Sequence, residues 1–465
     1  MGTFKKYLDL VERIYPIKYI GKVYQVIGLT IESIGPQTEI GELCTILIGE
    51  REVLAEVVGI KDKKVILMPY EDIEGIRPGC DVIASGASLK IPVSDELLGR
   101  IIDGIGKPID GKEAVYSSVE YPIYNTPPKP LERKRINKPL STGIKAIDAM
   151  LTVGEGQRMG IFAGTGVGKS TLLGMIARHS NADVNVIGLV GERSREVRDF
   201  IEKDLGKEGL KRSVVVVATS DTSPLMRIKA AFLTTSIAEY FRDQGKNVVL
   251  MMDSVTRFAR AQREIGLSVG EPPTTRGYTP SVYSMIPKLI ERTGTSKSGS
   301  ITSFYSVLVE GDDFSEPISD NVRGVLDGHI NLSRNLASKG YYPAIDLLDS
   351  ISRLAVDLVS PNYYQYTQKI KQVLAIYKDA EDLINIGAYV KGSNPKIDYS
   401  ISMIDKVNDA FTQGINEYLP IEVTCRKIVE LFSKDDQNVD FNIERDLPNY
   451  QPEKLTILME EKIKV

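Results

Sequence analysis

The chain has 465 residues, 42% hydrophobic and 26% charged, the balance of a globular protein of about three domains at roughly 150 residues each. Its 58 basic and 62 acidic residues are spread along the chain and leave a net charge of −4, which excludes the bulk basic signature of a nucleic-acid binder. Cys44, Cys80 and Cys425 lie far apart and, with only two histidines, build no zinc set, so they read as reduced thiols of a cytoplasmic protein; no apolar run predicts a membrane span or a secretory signal.

Residues 1–17 place Phe4, Leu8, Val11 and Ile14 at helical spacing, with Lys5, Lys6, Asp9, Glu12 and Arg13 elsewhere. This predicts an amphipathic helix over 4–14, either packed on the body or offered to a partner or membrane surface. From 18 to 90, short alternating runs ("GKVYQVIGLTIES", "ELCTILI", "VLAEVVGI", "KVILMP", "CDVIAS") broken by Gly and Pro predict a small β-barrel. Residues 91–140 are rich in Gly, Pro and charge and read as a connecting segment with little regular structure. Lys129, Arg133, Lys134 and Arg135 cluster there as a solvated linker.

From 141 to about 350 the runs "MGIFAG", "VNVIGLVG", "SVVVVAT", "NVVLMMD" and "ITSFYSVLV" alternate with helical patterns and lack polar alternation. Strands buried on both faces of a parallel sheet look this way. The central parallel-sheet domain is accordingly placed at 91–360, its connecting segment included. Residues 361–465 turn helical and charged and are read as a C-terminal helical domain.

The central feature is Ala163-Gly164-Thr165-Gly166-Val167-Gly168-Lys169-Ser170, followed by Thr171, between an apolar strand and a helical pattern. It departs from the strict phosphate-loop pattern only in Ala163, which ends the strand. The glycines let successive backbone N–H groups curl around phosphate oxygens, and the helix points its N-terminus at the anion. Lys169 would reach the β- and γ-phosphates, and the Ser170 hydroxyl would bind Mg²⁺. Two further strands end in acids. Asp253 would hold the same metal ion through water, unless it is only a helix cap, and Glu192 would polarise the attacking water. Ligands collect at the carboxyl ends of parallel strands, where all three features are expected.

Longer blocks carry a resemblance: "STGIKAIDAM", "GERSREVRDF", "MDSVTRFARAQREIGLSVGEPPTTRGYTPSVY", "VLVEGDDFSEPISDNVRGVLDGHINLSR" and "GYYPAIDLLDSISR". These resemble the catalytic core of the rotary ATPases, and most of all their export branch, the flagellum-specific ATPases of the type III apparatus. The resemblance implies a RecA-like P-loop core between the barrel and the helical domain, with ATP and Mg²⁺ as ligands. It implies that Glu192 polarises water, that Arg193 lies near the γ-phosphate, that Tyr342 packs on adenine, and that Arg353 is an arginine finger serving a neighbouring subunit. Arg257 falls in the family's "TRFA" segment.

The same resemblance implies a homohexamer at the cytoplasmic face of a membrane export apparatus. Its partners there would be an export regulator, stalk proteins, the export gate, chaperones and export substrates, with peripheral membrane contact and no nucleic acid. A virulence-type secretion ATPase shares this site chemistry. An inactive ring subunit would lack the Glu at 192, and an RNA motor of the Rho kind would need stacking aromatics and a basic stripe, whereas the barrel segment has Tyr24 and Tyr70 and no basic stripe. The rotor-loop counterpart, "NIGAYVKGSNPKIDYSI", is not acidic-rich, which favours hydrolysis coupled to export over proton-driven synthesis.

Overall fold

The computed structural model describes residues 19–309, 311, 313, 316–432 and 441–450, so the helix expected within 4–14 lies outside the described residues. Six strands form the barrel: β1 (Ile20–Ile27), β2 (Thr30–Ile34), β3 (Glu42–Ile48), β4 (Arg51–Lys61), β5 (Lys64–Pro69) and β6 (Asp81–Ser88). They close in the order β1-β2-β5-β4-β3-β6. Alternation does the work: in β3, Cys44 and Ile46 turn inward and are fully buried with Val53, Ala55 and Leu67. A buried ion pair joins the barrel to the core, with Lys229 Nζ 2.5 Å from Glu56, which also accepts from the Tyr70 hydroxyl at 2.6 Å.

Residues 91–140 carry more structure than their composition suggests. β7 (Lys90–Pro92) pairs with β9 (Glu120–Pro122), and between them β8 (Ile101–Asp103) becomes the edge strand of the central sheet beside Val215–Val217. Strands of three residues are too short to show a period, and tertiary pairing makes them. Arg133 is not a solvated linker residue either. It donates to the Thr293 carbonyl at 2.7 Å and to the Glu291 carbonyl, pinning the segment to the core, while Lys134 and Arg135 are exposed.

The core follows with β10 (Pro139–Leu140), α1 (Lys145–Met150), β11 (Val153–Gly154), β12 (Arg158–Ala163), α2 (Lys169–His179), β13 (Val184–Glu192), α3 (Ser194–Asp199), β14 (Ser213–Thr219), α4 (Pro224–Asp243), β15 (Asn247–Asp253), α5 (Val255–Ser268), β16 (Gly294–Thr295), β17 (Ser300–Leu308), β18 (Gly328–Leu332) and β19 (Ile345–Ser352). The sheet order is β19-β18-β12-β17-β15-β13-β14-β8; β19 runs antiparallel at one edge, and β16 pairs antiparallel with β17 off this path. β13 and β15 are buried along their whole length, as their unbroken apolar sequences require. α4 covers one face; its start is set by Ser223, whose hydroxyl accepts from Met226 N–H at 3.2 Å, and by Pro224 at the first helical position.

Three helices dominate the C-terminal part: α6 (Pro361–Asn385), α7 (Pro395–Phe411) and α8 (Ile421–Glu430). The Tyr363 hydroxyl donates to the Ala149 carbonyl at 3.0 Å, tying α6 to the core. Among the described residues no helix is long and apolar enough to cross a membrane.

Candidate active site

β12, β13 and β15 run parallel and end together, which brings the cradle, Glu192 and Asp253 to one edge of the sheet. The cradle leaves β12 at Ala163 and enters α2 at Lys169. Gly168 caps that helix with φ +91°, a left-handed conformation that a side chain would strain. Thr165 and Gly166 are exposed at the turn, and Val167 is buried beneath it in the core. Ser170 stands exposed on the first turn of α2. The Thr171 hydroxyl bonds Asp204, so what Thr171 can offer an anion is its backbone N–H.

The Lys169 ammonium pairs with Asp253 and lies 3.9 Å from Oε1 of Glu192. Asp253 also accepts from the Ser306 hydroxyl at 2.6 Å, a contact from β17 that no sequence signal announces. Glu192 is only 8% exposed. A bulge between Val190 and Glu192, with Gly191 at φ +71°, turns this carboxylate out of the strand register. Arg257, on the first turn of α5, meets it with Nε 3.2 Å from Oε1. Burial pushes the Glu192 carboxyl up to about 7, Asp253's charge adds to the rise, and Lys169 and Arg257 oppose it.

The other expected residues divide. Tyr342 comes to the cradle: a methyl group built on Gly168 would stand 3.8 Å from its ring, and the residue is 44% exposed. Arg193 does not join the carboxylates; its side chain is exposed and pairs with Glu196 at 3.1 Å. Arg257, in the "TRFA" run and four residues after Asp253, takes the place beside Glu192. Arg353 is exposed at the opposite end of the sheet. Ser352 pairs with Gly328, which pairs in turn with Met159 at the start of β12, whereas the cradle leaves from the end of that strand. Four residues of rise separate the two levels, about 13 Å, and two strand spacings of roughly 4.8 Å separate them laterally.

A glycine cradle at a helix N-terminus, a lysine on its rim and two acids on neighbouring strand ends define a P-loop nucleotide hydrolase beneath a barrel and beside a helical domain. Residues 143–352 match the nucleotide-binding domain of the ATP synthase alpha/beta family, 23–86 its beta-barrel domain, and 359–430 the C-terminal domain of the type III secretion ATPase EscN. The flagellum-specific ATP synthase of Bacillus subtilis strain 168 is 52% identical over 91% of this chain and 98% of its own length. That of Treponema pallidum is 52% identical over 89% and 93%. The assembled ATPase EscN of the enteropathogenic E. coli type III secretion system superposes with a TM-score of 0.84 at 45% identity, covering 88% of this chain and 99% of that one. The chain belongs to the ATP synthase alpha/beta family, in its branch of flagellar and type III export ATPases.

Proposed function

We propose that the chain hydrolyses Mg²⁺-ATP to drive flagellar type III protein export, working as a homohexameric ring. The observation that carries this reading is the Lys169 ammonium between two buried carboxylates, Asp253 and Glu192, at the mouth of the cradle. Two acids around one lysine are poised for exchange. An arriving phosphate would take the ammonium, leaving Asp253 free to hold Mg²⁺ when that ion is bound and Glu192 free to accept a proton from water.

Ser170 and Asp253 would hold Mg²⁺, which supplies charge neutralisation of the phosphates when bound. Among the described residues no three His, Cys, Asp or Glu side chains gather into a metal site. Two protein ligands suit Mg²⁺, which keeps waters and takes phosphate oxygens for the rest. The backbone of Gly164–Thr171 cradles the phosphates and Tyr342 receives the base. Arg353, exposed and without an ion pair to a described residue, completes the site of a neighbouring copy; Arg193 would have to leave Glu196 to contribute.

EscN has been solved both assembled and in complex with its central stalk EscO. Ring assembly and a stalk partner are proposed here by that likeness, and with them a place at the cytoplasmic face of an export apparatus, with its regulator, gate, chaperones and substrates. The injectisome reading stays in view because a type 3 secretion system ATPase of Xanthomonas euvesicatoria is 49% identical over 88% of this chain. Replacing the chromosomal gene by a Glu192→Gln allele separates the two. Loss of flagellar filaments with the variant protein present at normal level is expected, and intact filaments with lost effector secretion would assign the chain to an injectisome.

A further inference from the structure

Tyr342 reaches the cradle from a loop, residues 339–344. On one side this loop borders a cavity of about 470 Å³ shared with α6 and α7 and lined by Leu336, Tyr342, Leu374, Tyr377 and Phe411. On that side Lys339, at the start of the loop, pairs with Glu381 of α6 at 2.7 Å. At Tyr342 itself the hold comes from Gln413, two residues past the end of α7, whose backbone N–H donates to the Tyr342 carbonyl at 2.8 Å.

The Gln413 side chain is 4% exposed and bonded at both ends. Its Oε1 accepts from Lys145 N–H at 2.9 Å, and its Nε2 donates to the carbonyls of Gly143 at 2.7 Å and Glu417 at 2.8 Å. Lys145 returns the contact, with Nζ donating to the Thr412 carbonyl at 2.8 Å and pairing with Glu417 at 2.5 Å. Three stretches meet at this one residue: core residues 143–145 and residues 412–417 of the C-terminal part through its side-chain amide, and the Tyr342 loop through its backbone N–H. A buried amide in such a network holds its neighbours because each bond broken leaves a buried polar group unpaired.

We propose that Gln413 is a positioning residue for nucleotide recognition. It sets the Tyr342 ring against the cradle and makes base binding depend on how the C-terminal helices seat on the core. The inference rests on the reading of Tyr342 as the adenine contact. It differs from simple structural support in what it predicts. A positioning residue acts on the base and leaves the phosphates alone, whereas a general loosening weakens both.

The experiment compares ATP with inorganic tripolyphosphate, which carries the phosphates without the base, each with Mg²⁺, on the full chain. Gln413→Met keeps the length and removes the side-chain bonds; Gln413→Glu keeps the acceptor for Lys145 N–H and removes both donors. Tyr342→Ala and Gln413→Met are each expected to raise Kd and KM for ATP about three- to tenfold, the effect of loosening one stacked aromatic. In Gln413→Met, tripolyphosphate affinity and kcat should stay within about twofold, and the double variant with Tyr342→Ala should bind ATP no more weakly than Tyr342→Ala alone. Equal losses for ATP and tripolyphosphate in Gln413→Met overturn the proposal, as does an unchanged ATP affinity there when Tyr342→Ala weakens it. An ATP affinity indifferent to Tyr342→Ala overturns the adenine reading and this inference with it. Should Gln413→Met not fold, the same comparison is read from Gln413→Glu.

Discussion

Arg257 Nε lies 3.2 Å from Glu192 Oε1, a contact made across the bulge at Gly191. It places a cation on a carboxylate that burial pushes up to about 7. A general base must be ionised to act, so kcat/KM for ATP should rise with pH through about 7 and level above it. The stability consequence runs the other way. The folded value lies above the ordinary glutamate value of about 4.3, so the neutral carboxyl stabilises the fold fully below about 4, and that contribution is lost as pH rises through about 7. Arg257→Gln removes a charge that favours the ionised form and should move the acid limb to higher pH. A limb that stays in place in the pH profile of this variant would remove Arg257 from the control of Glu192.

Glu192→Gln should keep ATP binding and stop turnover, a loss on the order of 10² to 10⁴ in kcat, because an amide accepts no proton from water. Lys169→Ala should instead weaken binding, since the ammonium between Asp253 and Glu192 is the cation nearest the cradle. Isothermal titration and steady-state rates on both variants separate the roles. Normal turnover by Glu192→Gln would leave the water without its proposed base.

Gly191 should tolerate no side chain. Its φ is +71°, and a Cβ there would stand 2.9 Å from Cδ of Arg257. Gly191→Ala therefore combines left-handed strain of about 1–3 kcal/mol with displacement of the arginine. We expect a lower melting temperature and a loss of turnover larger than the loss of ATP affinity. An alanine variant with wild-type rates would show that the bulge does not aim Glu192.

What the sequence made legible follows a simple line. β13 and β15 were readable because strands covered on both faces carry unbroken apolar runs, and the cradle was readable because its glycines, lysine and serine are contiguous. β8 was not, since three residues show no period and the strand exists only by pairing with β14. Arg193 follows Glu192 directly, but a strand end turns successive side chains apart, and it pairs outward with Glu196. Arg257 reaches Glu192 from another element, and Gln413 reaches Lys145 from the far end of the chain. Contacts of that kind leave no local pattern.

The buried pair Arg292–Glu239 should be a principal support of the core beside α4. Arg292 is 1% exposed and gives both of its forked nitrogens to Glu239, at 2.9 and 2.7 Å, with further bonds to the Ile123 carbonyl and Ser236. Glu239→Gln leaves a buried guanidinium uncompensated and should cost about 3–5 kcal/mol. Glu202→Gln, at the exposed Arg198–Glu202 pair, should leave the melting transition in place. Equal shifts for the two variants in thermal melts would contradict this ranking.

Activity should require a neighbouring copy. Arg353 sits at the amino ends of the parallel strands, beside Gly328, whereas its own cradle leaves from their carboxyl ends. The same chain therefore carries a cradle on one edge of the sheet and, on the other, an exposed arginine with no ion pair to a described residue, and a ring of identical copies can place each arginine against the next cradle. Fingers of this type are worth roughly 10³ to 10⁵ in rate. Specific activity should rise with protein concentration, and Arg353→Ala should bind ATP while turning over at a small fraction of the wild-type rate. Mixing Lys169→Ala with Arg353→Ala is the sharper measurement. Some interfaces in mixed rings then join the intact cradle of the Arg353→Ala chain to the intact finger of the Lys169→Ala chain, so part of the turnover should return. A mixture that stays inactive while gel filtration and tagged pull-down show mixed rings, or a dilute monomer that hydrolyses at the full rate, would show that Arg353 does not act across the interface.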